Sequence, residues 1–292
     1  ASKDMRGHLT CNECGVKLTY NVGHNREINE KTSYIHPYFR LVNKANDHLR
    51  NCKYNTEGQL SIIAKGSSDK ILEELEAGKF NLRLHIVSQC IKELEKDVSS
   101  GKMGNESKNN EIARGKEYKQ KGEKLDPYLA TMRKLLELIS AVEANSDISS
   151  KVTLEFSNKK IAWHNFYYEI DNYFDCYNYI KENKPHHPIC INGKIKSISE
   201  PTKKYDFYTI KLDSPRARQM QGEETFEIPK IEIKVQNKQL NNFILNDQVG
   251  KDMLIYCNLW VTEPKEWLGK PYYFLNIRGN LLHMNQLLIF DE

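Results

Sequence analysis

The sequence has no uninterrupted apolar segment of the ~18 residues that a membrane-spanning helix needs. Hydrophobic residues make up 39% of its 292 positions, and the mean hydropathy is -0.68. A strong net charge is also missing, because 43 Lys and Arg residues stand against 39 Asp and Glu residues, a formal net charge of +4. These absences exclude a helical membrane protein and a uniformly basic protein that coats DNA. Any surface that binds nucleic acid must therefore be a local patch.

Regularly paired cysteines and an apolar leader segment are missing too. The seven cysteines are an odd number at irregular spacings, so a reducing compartment, the cytoplasm, is expected. The absence of repeats of ~20–50 residues excludes solenoids and propellers. No nucleophile elbow, phosphate loop, HExxH motif or pair of catalytic carboxylates is recognisable, so a non-enzymatic role is expected.

The chain is longer than one average domain and has room for two or three. Changes of composition predict three modules, over residues 1–66, 67–185 and 186–292. The first 65 residues contain ten basic and six acidic side chains. Their excess of positive charge equals that of the whole chain, so the N-terminal module is predicted to be the basic one.

Cysteine and histidine occur in the N-terminal module at a spacing typical of a metal site. Cys11 and Cys14 form a CxxC motif followed by glycine, and His48 and Cys52 follow at an i, i+4 spacing that predicts a shared helical turn. The four residues complete a Cys3His set that suits Zn²⁺, which would stabilise a segment poor in aliphatic residues. His36 is the alternative to His48 as fourth ligand. A reduced cysteine pair, buried or redox-active, is the other interpretation.

The motifs CNECG and YIHPYFR, followed by a His-Cys pair, resemble the Cys-rich N-terminal finger of bacterial competence-type (CoiA-like) proteins. In that family the finger precedes a restriction-endonuclease-like domain, but no Asp followed by Glu-x-Lys on consecutive strands is apparent here, so nuclease activity is not inferred. A metal-dependent (HNH-like) nuclease is a separate alternative, with His48 as the base that activates water. That chemistry needs a second metal-binding residue about one helix later, and the next histidine is His85.

Helical spacing dominates the predicted connector. One helix is predicted from the spacing of Leu84, Val87, Ile91, Leu94 and Val98. Residues 99–124 are too polar to close a core. A second helix is predicted from Asp126, as N-cap, to about Ala144. Two short strands around a turn are predicted next, then an aromatic helix capped by Asn165 and a proline-rich break.

From Ile189 onward, apolar and polar residues alternate, which predicts strands. Five strands are expected over 189–196, 205–212, 231–235, 253–261 and 272–278, with a short helix that carries Leu240, Phe243 and Ile244. This order resembles that of OB-fold domains, and the motif INGKI places Gly193 where the first strand must bend. The resemblance implies a five-stranded OB-like β-barrel. The predicted fold is therefore an α+β multidomain chain: a small zinc finger, a helical connector with a short β-hairpin, and the C-terminal barrel.

OB folds bind single strands by stacking bases on aromatic side chains over a basic groove. We therefore expect a cytoplasmic protein of bacteria or phage that binds nucleic acid, single-stranded DNA foremost, as an accessory of DNA processing, mobile-element or phage-defence machinery. The candidate contacts of the finger are Arg6, Lys17, Arg40, Arg50 and Lys53. Those of the barrel are Lys203, Lys204, Tyr205, Tyr208, Lys211, Lys234, Lys265, Trp267 and Lys270, with Phe207 as the alternative to Tyr208. The barrel has fourteen basic and thirteen acidic residues, so the main alternative is a scaffold subunit that docks proteins in a larger complex.

Overall fold

The structure is a computed structural model. It describes residues 9–28, 31–35, 38–42, 47–68, 70–76, 78–85, 125–142, 146–203, 207–220, 224–235 and 246–290. Within these ranges no helix is long and apolar enough to cross a membrane. The predicted helix that begins at Leu84 lies outside the described residues beyond His85, as do the polar stretch 99–124, the short helix near Phe243, and His36.

Short antiparallel strands and turns form the N-terminal module. Strand β1 (Leu18–Asn21) pairs with β4 (Tyr38–Leu41), and β2 (His24–Ile28) pairs with β3 (Lys31–Ile35). Before β1 the chain reverses around the CxxC motif, and the Leu18 N–H donates to the Leu9 carbonyl at 2.8 Å. An isolated antiparallel bridge between Thr10 and Lys17 makes this reversal a short hairpin.

Among the described residues, three helices and a four-stranded sheet form the middle of the molecule. The helices are α1 (Thr56–Lys65), α2 (Leu125–Ala141) and α3 (Ser146–Lys151). The strands, in sheet order, are β5 (Leu72–Glu76), β6 (Lys79–Arg83), β7 (Val152–Phe156) and β8 (Lys159–Ile161), and β6 and β7 are parallel. The sequence predicts the β7–β8 hairpin but neither α1 nor β5 and β6. It also places the N-cap of α2 at Asp126, which lies inside the first helical turn.

The aromatic segment after β8 is only partly helical. Single 3-10 turns at Trp163–Asn165 and Ile170–Asn172 flank β9 (Tyr167–Tyr168), and helix α4 spans Tyr173–Asn183. The predicted helix from Asn165 is therefore wrong in its first half. There β9 pairs in parallel with the first C-terminal strand, and this tertiary pairing outweighs the helical spacing of the aromatic residues.

A curled sheet forms the C-terminal part. Its strands are β10 (Ile189–Ser199), β11 (Tyr208–Leu212), β12 (Arg218–Gln219), β13 (Phe226–Val235), β14 (Asp252–Cys257), β15 (Leu259–Val261), β16 (Lys265–Glu266), β17 (Tyr272–Leu281) and β18 (Leu287–Phe290). The main order is β15-β17-β13-β11-β10-β14-β18. Only Asn258 lies between β14 and β15, so the two strands form one continuous segment of chain. Its β15 part pairs with β17 at one end of the order and its β14 part pairs with β10 near the other end, so the sheet curls round. Strand β13 starts earlier than predicted because its parallel register with β17 begins at Phe226.

Strand β10 bends where it exchanges one partner for the other. It pairs with β14 as far as Lys194 and with β11 from Ile195, and its register shifts between Ile195 and Ser197. This β-bulge supplies the bend that the sequence pattern assigns to Gly193. Gly193 has a different role, because a side chain there would overlap the Tyr173 hydroxyl.

The buried apolar side chains of the described residues form two hydrophobic cores. The first joins α1, the four-stranded sheet and α2 to one side of the curled sheet, where Leu254 and Tyr256 contribute to it. The second fills the inside of the curled sheet and includes Ile210, Ile233 and Tyr173 of helix α4. The middle of the chain and the curled sheet therefore share buried surface.

Candidate metal site and nucleic-acid surface

The four predicted metal ligands converge in the N-terminal module. The ligand atoms of Cys11, Cys14, His48 and Cys52, here called the Cys3His cluster, all lie within 4.8 Å of one another. Cys11 Sγ is 3.8 Å from Cys52 Sγ. His48 Nδ1 is 3.3 Å from Cys14 Sγ and 3.5 Å from Cys52 Sγ. An arrangement of this kind can hold a metal ion.

The CxxC turn positions the first two sulfurs. The Gly15 N–H donates to the Cys11 carbonyl at 2.8 Å, and the Cys11 N–H donates to the Val16 carbonyl at 2.8 Å. Gly15 has a φ of +72°, a left-handed conformation that glycine adopts without steric cost. The glycine after the motif is thus needed to close the turn.

His48 and Cys52 lie on a non-helical turn rather than on the predicted helical one. The Cys52 N–H donates to the Leu49 carbonyl at 2.8 Å, only three residues back, and helix α1 begins afterwards at Thr56. Asn55 is the N-cap of this helix and has an extended backbone conformation. The prediction of a helical HxxxC is therefore wrong, because the cap separates the ligands from the helix.

Helix α1 holds the turn through two side chains. Asn55 Oδ1 accepts a hydrogen bond from the Gly58 N–H at 2.7 Å, and Asn55 Nδ2 donates to the His48 carbonyl at 2.8 Å. Gln59 Nε2 donates to the Cys52 carbonyl at 3.2 Å. The two C-terminal ligands are therefore tied to the helix start.

The acidities of two thiols in the cluster are shifted in opposite directions. The backbone N–H of Val16 stabilises the Cys14 thiolate and lowers the pKa of this thiol to about 6. Burial raises the pKa of Cys52 to about 11. A bound cation favours the thiolate form of both, so metal binding and deprotonation are coupled.

His48, the residue that the HNH-like alternative names as its base, is part of the Cys3His cluster. Its Nδ1 faces Cys14 and Cys52. A nitrogen that ligates a closed structural ion cannot also take a proton from water.

The described candidate phosphate contacts of the N-terminal module are exposed, and one of them forms an ion pair with a carboxylate. Lys17, Arg40 and Arg50 are exposed. Lys53 is also exposed, but its Nζ lies 2.9 Å from Glu13 Oε1, and this carboxylate raises the pKa of the ammonium. Arg6 lies outside the described residues.

The curled sheet presents one largely polar surface away from its core, here called the outer face. Its side chains occupy alternate positions along β11, β13 and β17 and just before β11, and they are Phe207, Thr209, Lys211, Ile228, Lys230, Glu232, Lys234, Phe274, Asn276 and Arg278. All are partly exposed except Asn276, which is buried. The predicted contacts Lys211 and Lys234 lie on it. Tyr208 instead packs against the inner core. Its neighbour Phe207 lies on the outer face in its place, with Lys234 Nζ 5.0 Å from the ring centroid.

Four aromatic rings lie together at one end of the outer face. This aromatic cluster consists of Phe226, Trp267, Tyr272 and Phe274. The ring centroids are 5.4 Å apart for Phe226 and Tyr272, 6.0 Å for Trp267 and Tyr272, and 5.4 Å for Trp267 and Phe274. Trp267 is 42% exposed. The cluster therefore offers ring surface to solvent.

Lysines surround the aromatic cluster. Lys230 Nζ lies 3.1 Å from the Phe274 centroid, and Lys270 Nζ lies 4.2 Å from the Trp267 centroid. Burial lowers the pKa of Lys230, and the positive charges of Lys196, Lys211 and Lys265 lower it further, while Glu232 opposes them. The lysines are therefore close enough to make a local positive potential on a nearly neutral module.

The predicted loop contacts lie at two places. Lys265 belongs to β16, whose register places it beside Phe274, and Trp267 and Lys270 follow in the turn to β17. Lys203 is exposed after β10. Lys204 and Tyr205 lie outside the described residues.

Several residues of this surface do not stand out in the sequence. They include Phe226, Lys230, Tyr272, Phe274 and Arg278. Alternation backwards from Ile231 along β13 would have placed Lys230 and Phe226 on the polar side of the strand. No local pattern pairs β13 with β17, so the partners on β17 needed the fold.

No protein-family model matches the chain, and no curated protein matches it. Among solved structures, the chain is similar to a chain described as "Plasmodium falciparum SSB complex with ssDNA". The identity is 16%, the match covers 36% of this chain and 94% of that chain, and the TM-score is 0.21.

Proposed function

We propose that this protein is a nucleic-acid-binding accessory of DNA processing that holds an unpaired strand, with single-stranded DNA preferred, across the outer face. The observation that carries the proposal is the aromatic cluster with Lys230 and Lys270 over its rings. Single-strand binding sites combine aromatic rings, on which bases stack, with cations that follow the phosphates. Both elements lie side by side on the outer face.

The curled sheet is, on this proposal, an OB-type barrel. Its strand pairings support this: β10, β11 and β13 form an antiparallel meander, β10 also pairs with β14, and β13 pairs in parallel with β17. The turn between β16 and β17 bears Trp267 and Lys270, and it corresponds to the loop before the last strand, which contacts ligands in OB folds.

The ion of the Cys3His cluster is, on the same proposal, Zn²⁺. Tetrahedral zinc, with Zn–S near 2.3 Å and Zn–N near 2.0 Å, separates two sulfurs by about 3.8 Å and a sulfur from a nitrogen by about 3.5 Å. Three of the six ligand–ligand distances in the cluster, at 3.8, 3.3 and 3.5 Å, are close to these values, and all six are within 4.8 Å. The zinc would fix a small finger whose exposed Lys17, Arg40 and Arg50 add phosphate contacts. We propose that the protein acts in the cytoplasm of bacteria or in phage, as part of mobile-element or phage-defence machinery.

Fluorescence anisotropy with a labelled oligo-dT of about 15 nucleotides tests the proposal. If about four phosphates are neutralised, log K falls with log salt with a slope near -3. Trp267→Ala and Phe274→Ala each remove a ring and weaken binding by about 1–3 kcal/mol. Leu268→Ala is the matched control, because Leu268 is 89% exposed in the same turn and offers no ring. Lack of affinity for single- or double-stranded DNA and RNA at ~50 mM salt would reject the proposal.

A scaffold that docks proteins is the second candidate function. It is favoured by exposed apolar side chains in the N-terminal module, where Val22, Phe39, Val42 and Leu49 are 52–61% exposed. Partners that co-purify in fixed stoichiometry and stay bound after nuclease treatment would support it over nucleic-acid binding.

A further inference from the structure

A row of side chains crosses the middle of the outer face at right angles to the strands. Lys211 of β11 is in register with Glu232 of β13, Glu232 with Arg278 of β17, and Arg278 with Trp260 of β15. Register partners lie on the same side of a sheet, about 4.8 Å apart from strand to strand. The row therefore presents a cation, a carboxylate, a cation and an aromatic ring in sequence.

The carboxylate of Glu232 lies between the two cations. Its Oε1 is 3.9 Å from Lys211 Nζ, and its Oε2 is 3.5 Å from Arg278 Nε. All three side chains are partly exposed, at 44% for Lys211, 26% for Glu232 and 37% for Arg278. Ion pairs that are this exposed and this long contribute little stability, so another anion can replace the carboxylate at small cost.

Arg278 retains hydrogen-bonding capacity in this arrangement. Its Nε is buried and has no hydrogen-bond partner among the described residues. The ion pair with Glu232 therefore supplies charge without a hydrogen bond. A phosphate oxygen accepts hydrogen bonds from a guanidinium in the same manner as a carboxylate oxygen, and such charge-assisted bonds are short and strong.

We propose that Lys211 and Arg278 form a phosphate subsite of the single-strand surface and that Glu232 fills it in the free protein. This inference rests on the proposed function. When a strand binds, a backbone phosphate displaces the carboxylate, and the adjacent Trp260, which is 36% exposed, lies within reach of a neighbouring base. Glu232 thus keeps the two cations in position but lowers the affinity for the strand.

The test compares Glu232→Gln with wild-type protein in anisotropy titrations with labelled oligo-dT at several salt concentrations. We expect Glu232→Gln to bind about three- to tenfold more tightly at low salt, because two weak ion pairs no longer compete. The log-log salt slope should become steeper by about 0.7 for each further phosphate that the variant neutralises on a single strand. The increase in affinity should disappear when Lys211→Gln and Arg278→Gln are introduced together with Glu232→Gln.

The matched control is Glu137→Gln. Glu137 is an exposed carboxylate on α2, 3.3 Å from Arg133 Nε, so this variant removes the same charge and a similar ion pair outside the outer face. It should leave affinity and salt slope unchanged. An unchanged or lower affinity of Glu232→Gln for oligo-dT would overturn the inference. Failure of the wild-type protein to bind any strand would instead overturn the proposed function.

Discussion

At the scale of single residues, the four ligands of the Cys3His cluster are positioned by two identified turns of the backbone. Two sulfurs come from the tight turn that Gly15 closes, and the other two ligands come from a turn that Asn55 ties to a helix start. These supports act on the backbone and not on the ligand atoms themselves. A bound ion would offset the cost of bringing three sulfurs together.

The first prediction concerns loss of the metal. Cys14→Ser and His48→Gln each remove one ligand, so zinc content measured by mass spectrometry after gel filtration should fall from about one per chain to well below one. His186→Gln is the control, because His186 is exposed and lies outside the cluster. Full zinc content in both ligand variants would move the assignment to other residues, His36 first among them.

At the scale of elements, helix α1 shows why part of the fold escapes prediction from sequence. Its buried residues include Thr56, Gly58 and Ser61, so the buried side has no apolar periodicity, although Leu60 and Ile63 are in the core. Their neighbour Gly58 allows a close approach: a side chain at this position would overlap the Arg50 carbonyl. Such close packing between a helix and a preceding turn leaves no signal in hydropathy.

The second prediction tests this close approach. Gly58→Ala should force the helix away from the turn that bears His48 and Cys52, with a loss of about 1–3 kcal/mol of stability. Zinc affinity, measured by competition with a chromophoric chelator, should fall as well. Gly66→Ala is the matched control on the same helix, since a Cβ there would meet no atom closer than 3.6 Å and the backbone φ is -85°. Equal stabilities of the two variants would contradict the prediction.

The sequence predicted those features that depend on residues close together in the chain. Alternation such as that of Ile231, Ile233 and Val235 predicted five strands of the C-terminal part, but it missed β12, β16 and β18 and took β14 and β15 as one strand. The Cys3His cluster followed from two short spacings. The parallel pairing of β9 with β10 and of β13 with β17 joins segments that have no sequence signature of their partner. For this reason Phe274 and Arg278, which complete the outer face, emerged only from the structure.

At the scale of the whole molecule, the middle of the chain and the curled sheet are joined by a buried polar contact inside the first core. The Tyr128 and Tyr256 hydroxyls hydrogen-bond each other. Tyr128 Oη accepts from the His85 N–H at 3.0 Å, and Tyr256 Oη donates to the His85 carbonyl at 3.1 Å. Three distant segments therefore meet at one backbone unit, and the two parts should unfold together.

The third prediction follows from this junction. Tyr256→Phe keeps the ring but removes the two buried hydrogen bonds that the Tyr256 hydroxyl makes with the His85 carbonyl and the Tyr128 hydroxyl, so the unfolding free energy should fall by about 1–3 kcal/mol. Far-UV circular dichroism, dominated by the helices, and tryptophan fluorescence, to which Trp260 and Trp267 of the curled sheet contribute, should show one coincident transition in wild type and variant. Tyr54→Phe is the control, because Tyr54 is 41% exposed, and it should leave the midpoint unchanged. Two separate unfolding transitions in the wild-type protein would mean that the shared core does not couple the middle of the chain to the curled sheet. In that case a nucleic-acid strand bound to the outer face would stabilise the curled sheet alone.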